Sequence, residues 1–183
     1  MQKCGKLKDF VGLGNGMLKI IKTMAELDTK QLMSVYSEGN LENGEMLFGD
    51  LSADIQRIKA EDTFLSYLRE DFFHQPDAVY AVWVEDNNYL SALRLEPYKD
   101  GLLLEALETA PNARRKGYAC KLIGAVFSYL GATPWNKVYS HISKRNLPSI
   151  GVHKKCGFVQ VSDCATYIDG TVTQNSATYC YEL

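Results

Sequence analysis

Arg114, Arg115 and Lys116 stand beside Gly117, Tyr118 and Ala119 in the run P-N-A-R-R-K-G-Y-A at residues 111–119. Cationic side chains around a glycine suit the holding of a phosphate. If the run enters a helix, the first turn offers backbone N–H groups with no partner inside the helix. The helix dipole then adds partial positive charge behind them. A glycine inside a helix costs about 1 kcal/mol relative to alanine, so Gly117 points to a group that must approach the backbone closely. A pyrophosphate fits that requirement. A solvated basic turn would explain the side chains of Arg115 and Lys116 as well. No G-x-x-x-x-G-K-[ST] string occurs, which argues against a Walker-type site. Gly12, Gly14 and Gly16 form G-x-G-x-G, but ahead of the first expected strand, whereas a dinucleotide fingerprint follows one. A flexible leader explains them.

Two other groups could do chemistry. Glu105 and Glu108 lie three apart in L-L-L-E-A-L-E-T. On a regular strand they face opposite sides, with Glu105 sharing a face with Leu103 and Leu107. Asn146, Ser149 and His153 follow a spacing of three and then four, which lines them along one face of a helix. Asn146 is also an N-cap residue type with Pro148 in the first turn, so capping alone would account for it. The five cysteines, Cys4, Cys120, Cys156, Cys164 and Cys180, are odd in number and scattered, and only three histidines exist. That pattern predicts inert reduced thiols and no metal site.

These residues need elements to hold them. Residues 17–24 read as a first strand, and 29–38 and 51–73 as helices, the second carrying Leu51, Ile55, Ile58, Phe64 (with a slip), Leu65, Leu68 and Phe72 at roughly helical spacing. Residues 79–84 and 89–95 are β-rich runs joined by the hairpin signal Glu85-Asp86-Asn87-Asn88. In these runs Tyr80, Trp83 and Tyr89 read as sheet packing. A strand at 102–109 leads into the glycine run. The helix expected at 116–130 buries Ala119, Leu122, Ile123, Val126, Phe127 and Leu130 and stops at Gly131. A strand at 137–142, a short helix at 146–156 stopped by Gly157, and strands at 158–168 and 177–183 complete the chain. The order predicts an α/β fold of mixed α+β type, a mixed sheet flanked by helices. Residues 17–183 form one expected domain, and 1–16, without any 2.0 or 3.6 period, an expected flexible leader or start-site extension.

Composition narrows the partners. A net charge of −2 argues against broad binding to nucleic acid or an anionic membrane, which call for a basic footprint. No apolar run approaches the roughly 18 residues needed to cross a bilayer. The N-terminal lysines are followed by Asp9, Gly12, Gly14 and Asn15 instead of an apolar region, so no secretory signal is expected. A cytoplasmic location is the expectation, and a homodimer is compatible with it.

The run R-R-K-G-Y-A resembles the Q/R-x-x-G-x-G/A loop with which the GNAT superfamily of acetyl-CoA-dependent N-acetyltransferases holds acyl-CoA. Residues 146–158, N-L-P-S-I-G-V-H-K-K-C-G-F, are similar to the family's N-x-x-[AS]-x-x-x-Y-x-x-x-G-F element. The two motifs sit at the family's separation and on the expected elements, and the resemblance covers nearly all of 17–183. It implies a central mixed, mostly antiparallel sheet of about six to seven strands flanked by about four helices. It also implies acetyl-CoA as co-substrate, with no metal. The backbone amides of Arg115, Lys116, Gly117, Tyr118 and Ala119 would hold the pyrophosphate, with Arg114 opening the turn. Leu107, Glu108 and Thr109 would pair through their backbone with the pantetheine arm, and Asn146, Ser149 and His153 would face that arm and the thiol.

His153 departs from the family's tyrosine. A phenol near about pKa 10 and an imidazole near about 6.5 differ as acids. Either His153 protonates the CoA thiolate with a more acidic pH limit, or water or Tyr118 does; a surface histidine without a role fits equally. An acceptor ammonium must lose a proton before it can attack a thioester. Glu105, where related enzymes often place a strand base, is the first candidate to take that proton and Glu108 the second. Cys120, inside the expected CoA-binding helix, reads as core. Between Gln31 and Gln56 there is no Lys or Arg, but there are Glu38, Glu42, Glu45, Asp50 and Asp54. In the family this region borders the acceptor, and an acidic rim would concentrate a cationic amine; a solvated helix face would look the same. The resulting expectation is acetyl transfer from acetyl-CoA to a primary amine of a small cationic acceptor. The rivals are a silent acyl-CoA-binding regulatory module and a protein or peptide N-acetyltransferase.

Overall fold

A computed structural model describes residues 16–183. The leader expected at 1–16, apart from Gly16, lies outside the described residues. Strand β1 (Met17–Ile21) is followed by helices α1 (Thr29–Val35), α2 (Ser37–Phe48) and α3 (Ala53–Glu70). Strands β2 (Val79–Glu85), β3 (Asn88–Tyr98) and β4 (Gly101–Thr109) come next, then helix α4 (Tyr118–Leu130) and strand β5 (Lys137–Ser143). Helix α5 (Leu147–Lys155) precedes β6 (Val159–Ser162), β7 (Ala165–Thr166), β8 (Val172–Thr173) and β9 (Ser176–Glu182). Seven strands form one sheet in the order β1-β2-β3-β4-β5-β9-β6, and β7 and β8 make a small separate ribbon. Within the large sheet every neighbouring pair is antiparallel except β4 and β5. The fold class is as expected, with five α-helices among the described residues in place of about four.

The hairpin between β2 and β3 closes through Asp86 and Asn87, both with positive φ (50° and 61°). Asp and Asn tolerate that conformation, and a two-residue turn with both central residues left-handed matches the twist of the flanking strands. Helices cover both faces of the sheet. On one, Leu122, Ile123, Val126, Phe127 and Leu130 of α4 pack on Leu93, Leu95, Leu102 and Leu104. Ala119 of the expected stripe stays half-buried. On the other, Leu32, Val35, Leu68 and Phe72 pack on Tyr80, Val82 and Ala92. Each large side chain so buried contributes about 1.5–3 kcal/mol.

The structure corrects several expected boundaries: the strand expected at 17–24 ends at Ile21, ahead of a 3-10 turn at Met24–Glu26, and the strand expected at 89–95 runs from Asn88 to Tyr98. No element is expected at 39–48, yet Ser37–Phe48 is a helix. Its two glycines and two asparagines lower helix propensity, and tertiary packing on α3 overrides that. The helix expected at 29–38 therefore splits at Tyr36. The helix expected at 51–73 is Ala53–Glu70 followed by a 3-10 turn at Phe72–His74; Leu51, Ile55 and Ile58 are exposed, and the packed stripe starts at Phe64. The helix expected from 116 starts at Tyr118 because Gly117 is left-handed. The strand expected at 158–168 breaks at Asp163 and Cys164 into β6 and β7.

Helices α2 and α3 cross closely at one glycine. A Cβ on Gly44 would lie 2.7 Å from the Gln56 carbonyl oxygen, whereas one on Gly39 would meet nothing nearer than a Glu108 carboxylate oxygen at 3.9 Å. Backbone cannot yield as a flexible side chain can. Gly44→Ala is expected to push the two helices apart at a cost of about 1–3 kcal/mol. Gly39→Ala should be neutral or stabilising by up to about 1 kcal/mol through helix propensity. Urea unfolding of both variants beside wild type checks this; equal stabilities would refute the close crossing.

Candidate active site

Strands β4 and β5 share only two register pairs, Leu102 with Val138 and Leu103 with Tyr139. Beyond them the strands part and leave a cleft of about 630 Å³. Leu104 to Glu108 form one wall, Ser140 to Ser143 the other, and α2 and α3 close one side with Asn40, Asn43, Phe64 and Tyr67. Asn146, Ser149 and His153 of the α5 segment line it as well.

The glycine run sits where β4 leads into α4. A 3-10 turn at Pro111–Ala113 precedes Arg115 at φ 63° and Gly117 at φ 84°, ψ 8°. Gly117 is the N-cap of α4, outside the helix interior, so the helix-interior cost does not apply. Its left-handed backbone is what requires glycine, and a Cβ there would meet nothing within 4 Å. The N-terminal turn of α4 thus faces open space. Arg115 and Lys116 are exposed, and Lys116 Nζ donates to the Asn112 carbonyl at 3.1 Å. Arg114 is occupied: Nε donates to the Thr109 carbonyl at 3.2 Å, Nη1 pairs with Glu38, and Nη2 lies 3.6 Å from Glu108. The Tyr118 hydroxyl donates to the Glu85 carboxylate, a bond that pushes its pKa up, and the side chain does not line the cleft.

A bulge in β4 changes which way its side chains face. Arg94 lies opposite Glu105 and Ala92 opposite Glu108, so Ala106 and Leu107 together face Leu93. Ala106 takes φ 50° to make the extra residue fit. Alternation is reset by one. Leu107 joins the core beneath α4, and Glu105 and Glu108 both line the cleft, in place of the opposite faces expected from a regular strand.

Each glutamate has an arginine. Glu105 Oε2 takes both Arg94 contacts, Nη2 at 2.7 Å and Nε at 3.2 Å. The same guanidinium lies 3.8 Å from Glu96 and 4.8 Å from the centre of the Tyr67 ring. Glu96 is almost fully buried, and its carboxyl is pushed up to about 7, first by burial and then by its hydrogen bond and charge interaction with Glu105. Glu108 is raised by burial, with Arg114 opposing and Glu42 and Glu38 adding to the rise.

His153 is 1% exposed, not a surface residue. Its Nδ1 lies 2.9 Å from the Ser149 carbonyl oxygen and 3.3 Å from Ser149 Oγ. A carbonyl only accepts, so Nδ1 carries the proton of the neutral ring. Nε2 is buried without a partner, and burial lowers the ring's pKa. Asn146 caps α5 by accepting from the Ser149 N–H at 3.0 Å. Cys120 packs half-buried against the core under α4, as expected, and interaction with the neighbouring Cys156 thiol lowers its pKa.

The sequence model of the acetyltransferase (GNAT) family matches residues 47–158. The chain belongs to the GNAT family of acetyltransferases. No curated protein matches it by sequence. Among solved structures it is similar to the PaiA N-acetyltransferase of Thermoplasma acidophilum, solved with coenzyme A, at 12% identity and TM-score 0.64 over 91% of this chain and 99% of that one. An acetyltransferase of Streptococcus agalactiae aligns at 16% identity and TM-score 0.63 over 92% and 98%. A spermidine N-acetyltransferase of Vibrio cholerae, solved with CoA and spermine, aligns at 14% identity and TM-score 0.59 over 91% and 95%. At such identities the likeness establishes the fold.

This GNAT cleft also holds residues that sequence reasoning passed over: Arg94, Tyr36, Tyr67, Tyr167 and His141. His141 donates from Nε2 to the Thr166 carbonyl at 3.0 Å, and Nδ1 lies 3.1 Å from Thr178 Oγ1. These residues reach the cleft through tertiary pairing, and no local spacing marks them. Glu96 yields a pH signature. Its folded value of about 7 exceeds the ordinary carboxylate value of 4.5, so its protonated form favours the fold. That contribution is complete below the unfolded value and is lost as pH rises through about 7. Wild-type stability should fall between about pH 4.5 and 7 by no more than about 1.4 kcal/mol per unit from this group, and Glu96→Gln should flatten that decline. Urea unfolding at pH 5, 6, 7 and 8 measures it; parallel profiles would assign the carboxyl an ordinary value.

Proposed function

We propose that this acetyltransferase moves an acetyl group from acetyl-CoA to the primary amine of a small cationic acceptor by direct transfer. The observation that carries this reading is the pair of glutamates on one wall of a cleft that opens beside an unobstructed helix N-terminus. Acetyl-CoA fits the residues present. The backbone amides of Arg115 to Ala119 would take the pyrophosphate, and the unpaired edge of Leu107 to Thr109 would take the pantetheine arm. Asn146, Ser149 and His153 would border the arm on the α5 side. Bound there, acetyl-CoA supplies a thioester whose carbonyl carbon is open to attack.

The remaining chemistry belongs to the chain. Glu105 would accept the amine proton, directly or through water, and Arg94 holds it in place by Oε2. Glu108, with Glu38 and Glu42 nearby, would draw the acceptor cation into the cleft. A backbone N–H near Leu107 would donate to the acyl oxygen as charge develops on it. His153, whose Nδ1 proton is committed to Ser149, offers a lone pair at Nε2, so solvent protonates the departing thiolate. Tyr118 is engaged with Glu85. The spermine-bound relative of the same fold is in keeping with a cationic acceptor.

Calorimetric titration of acetyl-CoA, followed by an amine screen reading thiol release, tests the reading. Wild type should bind, and Gly117→Glu should not, because its carboxylate occupies and repels the pyrophosphate seat. Gly117→Asn, which tolerates a left-handed backbone, should retain binding. Glu105→Gln should keep binding and lose about 10²- to 10⁴-fold in turnover. No binding by wild type would end the reading. Binding without acceptor-dependent thiol release would make the protein a silent acyl-CoA module.

A further inference from the structure

Two buried tyrosines converge on the bulge of β4. Tyr36, at the junction of α1 and α2, is 6% exposed, and Tyr80 on β2 is fully buried. The Tyr36 hydroxyl lies 2.5 Å from the Ala106 carbonyl oxygen, and the Tyr80 hydroxyl lies 2.7 Å from that of Tyr36. Only one direction satisfies all three groups. The carbonyl can only accept, so Tyr36 donates to it, and Tyr80 donates to Tyr36. Burial pushes both phenols up in pKa, which keeps both protons in place at neutral pH. A chain of donors in a dry interior is polarised along its length, each bond strengthening the next.

The carbonyl at its end belongs to the one residue of β4 with positive φ. A bulged peptide has more freedom to tilt than one locked in a ladder, because two residues face one. The Ala106–Leu107 peptide is trans and planar, so the Leu107 N–H points opposite to the Ala106 carbonyl. Whatever fixes the carbonyl fixes the N–H. The rings are held in turn: Tyr36 packs edge-on against Phe64 at 5.2 Å, and Tyr80 against Phe72 at 5.9 Å.

We infer that Tyr36 is a positioning residue for acetyl transfer: by gripping the Ala106 carbonyl it aims the Leu107 N–H at the acyl oxygen, with Tyr80 supporting the grip. The inference rests on the proposed function and assigns a task to a side chain outside both of the chain's sequence motifs. It also ties the strand to the start of α2, the helix that walls the acceptor side of the cleft.

Tyr36→Phe and Tyr80→Phe separate this role from a merely structural one. Both variants lose a buried hydrogen bond, so both should melt earlier, but only Tyr36→Phe releases the carbonyl. Turnover in Tyr36→Phe should fall about tenfold or more, short of the roughly 10²- to 10³-fold cost of deleting such a donor outright, with KM for acetyl-CoA within about twofold. Tyr80→Phe weakens the grip without releasing the carbonyl, so its loss of turnover should be clearly smaller than that of Tyr36→Phe. Amide NMR gives a readout that needs no acceptor. In wild type, acetyl-CoA should shift the Leu107 N–H resonance beyond the shift given by CoA, and in Tyr36→Phe that difference should shrink. A Leu107 resonance blind to the acetyl group in wild type would overturn the inference even if Tyr36→Phe failed to fold. So would equal losses of turnover in the two variants. Failure of wild type to bind acetyl-CoA would be a different result, removing the proposed function itself.

Discussion

Everything in this cleft depends on two parallel strands that are paired at one end and not at the other. After Leu103 the edge of β4 has no sheet partner in β5. Backbone donors and acceptors that a continuous ladder would consume are then left for something else, and burying them unpaired would cost about 1–3 kcal/mol each. The gap is therefore a demand as well as a space. An extended amide-bearing arm answers it in the way a sheet strand would. Helix α4 follows β4 directly, so the partial positive charge of its first turn is fixed at the mouth of the same gap.

The bulge at Ala106 is the second constraint, and it acts on charge. A regular strand would have placed one of Glu105 and Glu108 in the cleft and the other under α4. The bulge places both in the cleft, beside Glu96 and within the influence of Glu38 and Glu42. Two arginines keep this crowd of carboxylates tolerable. Arg94 serves Glu105 and Glu96 from β3, and Arg114 serves Glu108 and Glu38 from the glycine run that enters α4. Arg114 thus belongs to the electrostatics of the cleft as much as to the loop that carries it. Glu96 is raised first by its own burial and then by Glu105, and the one guanidinium shared between the two carboxylates does not offset this.

The sequence was most legible where the signal was local. The α4 stripe apart from Ala119, the Asp86-Asn87 hairpin and the place of the glycine run between β4 and α4 each follow from neighbours within a few residues, and each stands where expected. The failures share a physical cause. Helix α2 has poor propensity and no clean apolar period, and it exists because Gly44 lets it lie against α3. The facing of Glu105 and Glu108 depends on a bulge that alanine does not advertise, since Ala106 has no residue-type preference for a positive φ. The sequence points to Gly117 through the close approach of a ligand, whereas its left-handed backbone is itself sufficient reason for a glycine there. Arg94, His141 and Tyr36 reach the cleft only through pairings between distant segments.

His153 illustrates what a motif can and cannot carry. The spacing from Asn146 through Ser149 did place three polar residues on one helical face, and the helix did present them to the cleft. The spacing could not say which ring nitrogen would be free. That was decided by the Ser149 carbonyl, one turn back along α5, which captures the Nδ1 proton. A tyrosine at this position would present a hydroxyl, which both donates and accepts. The histidine, neutral in a dry site, presents only a lone pair. A histidine here therefore offers a lone pair where a tyrosine would offer a hydroxyl proton. It does so through backbone geometry, with no change in the fold.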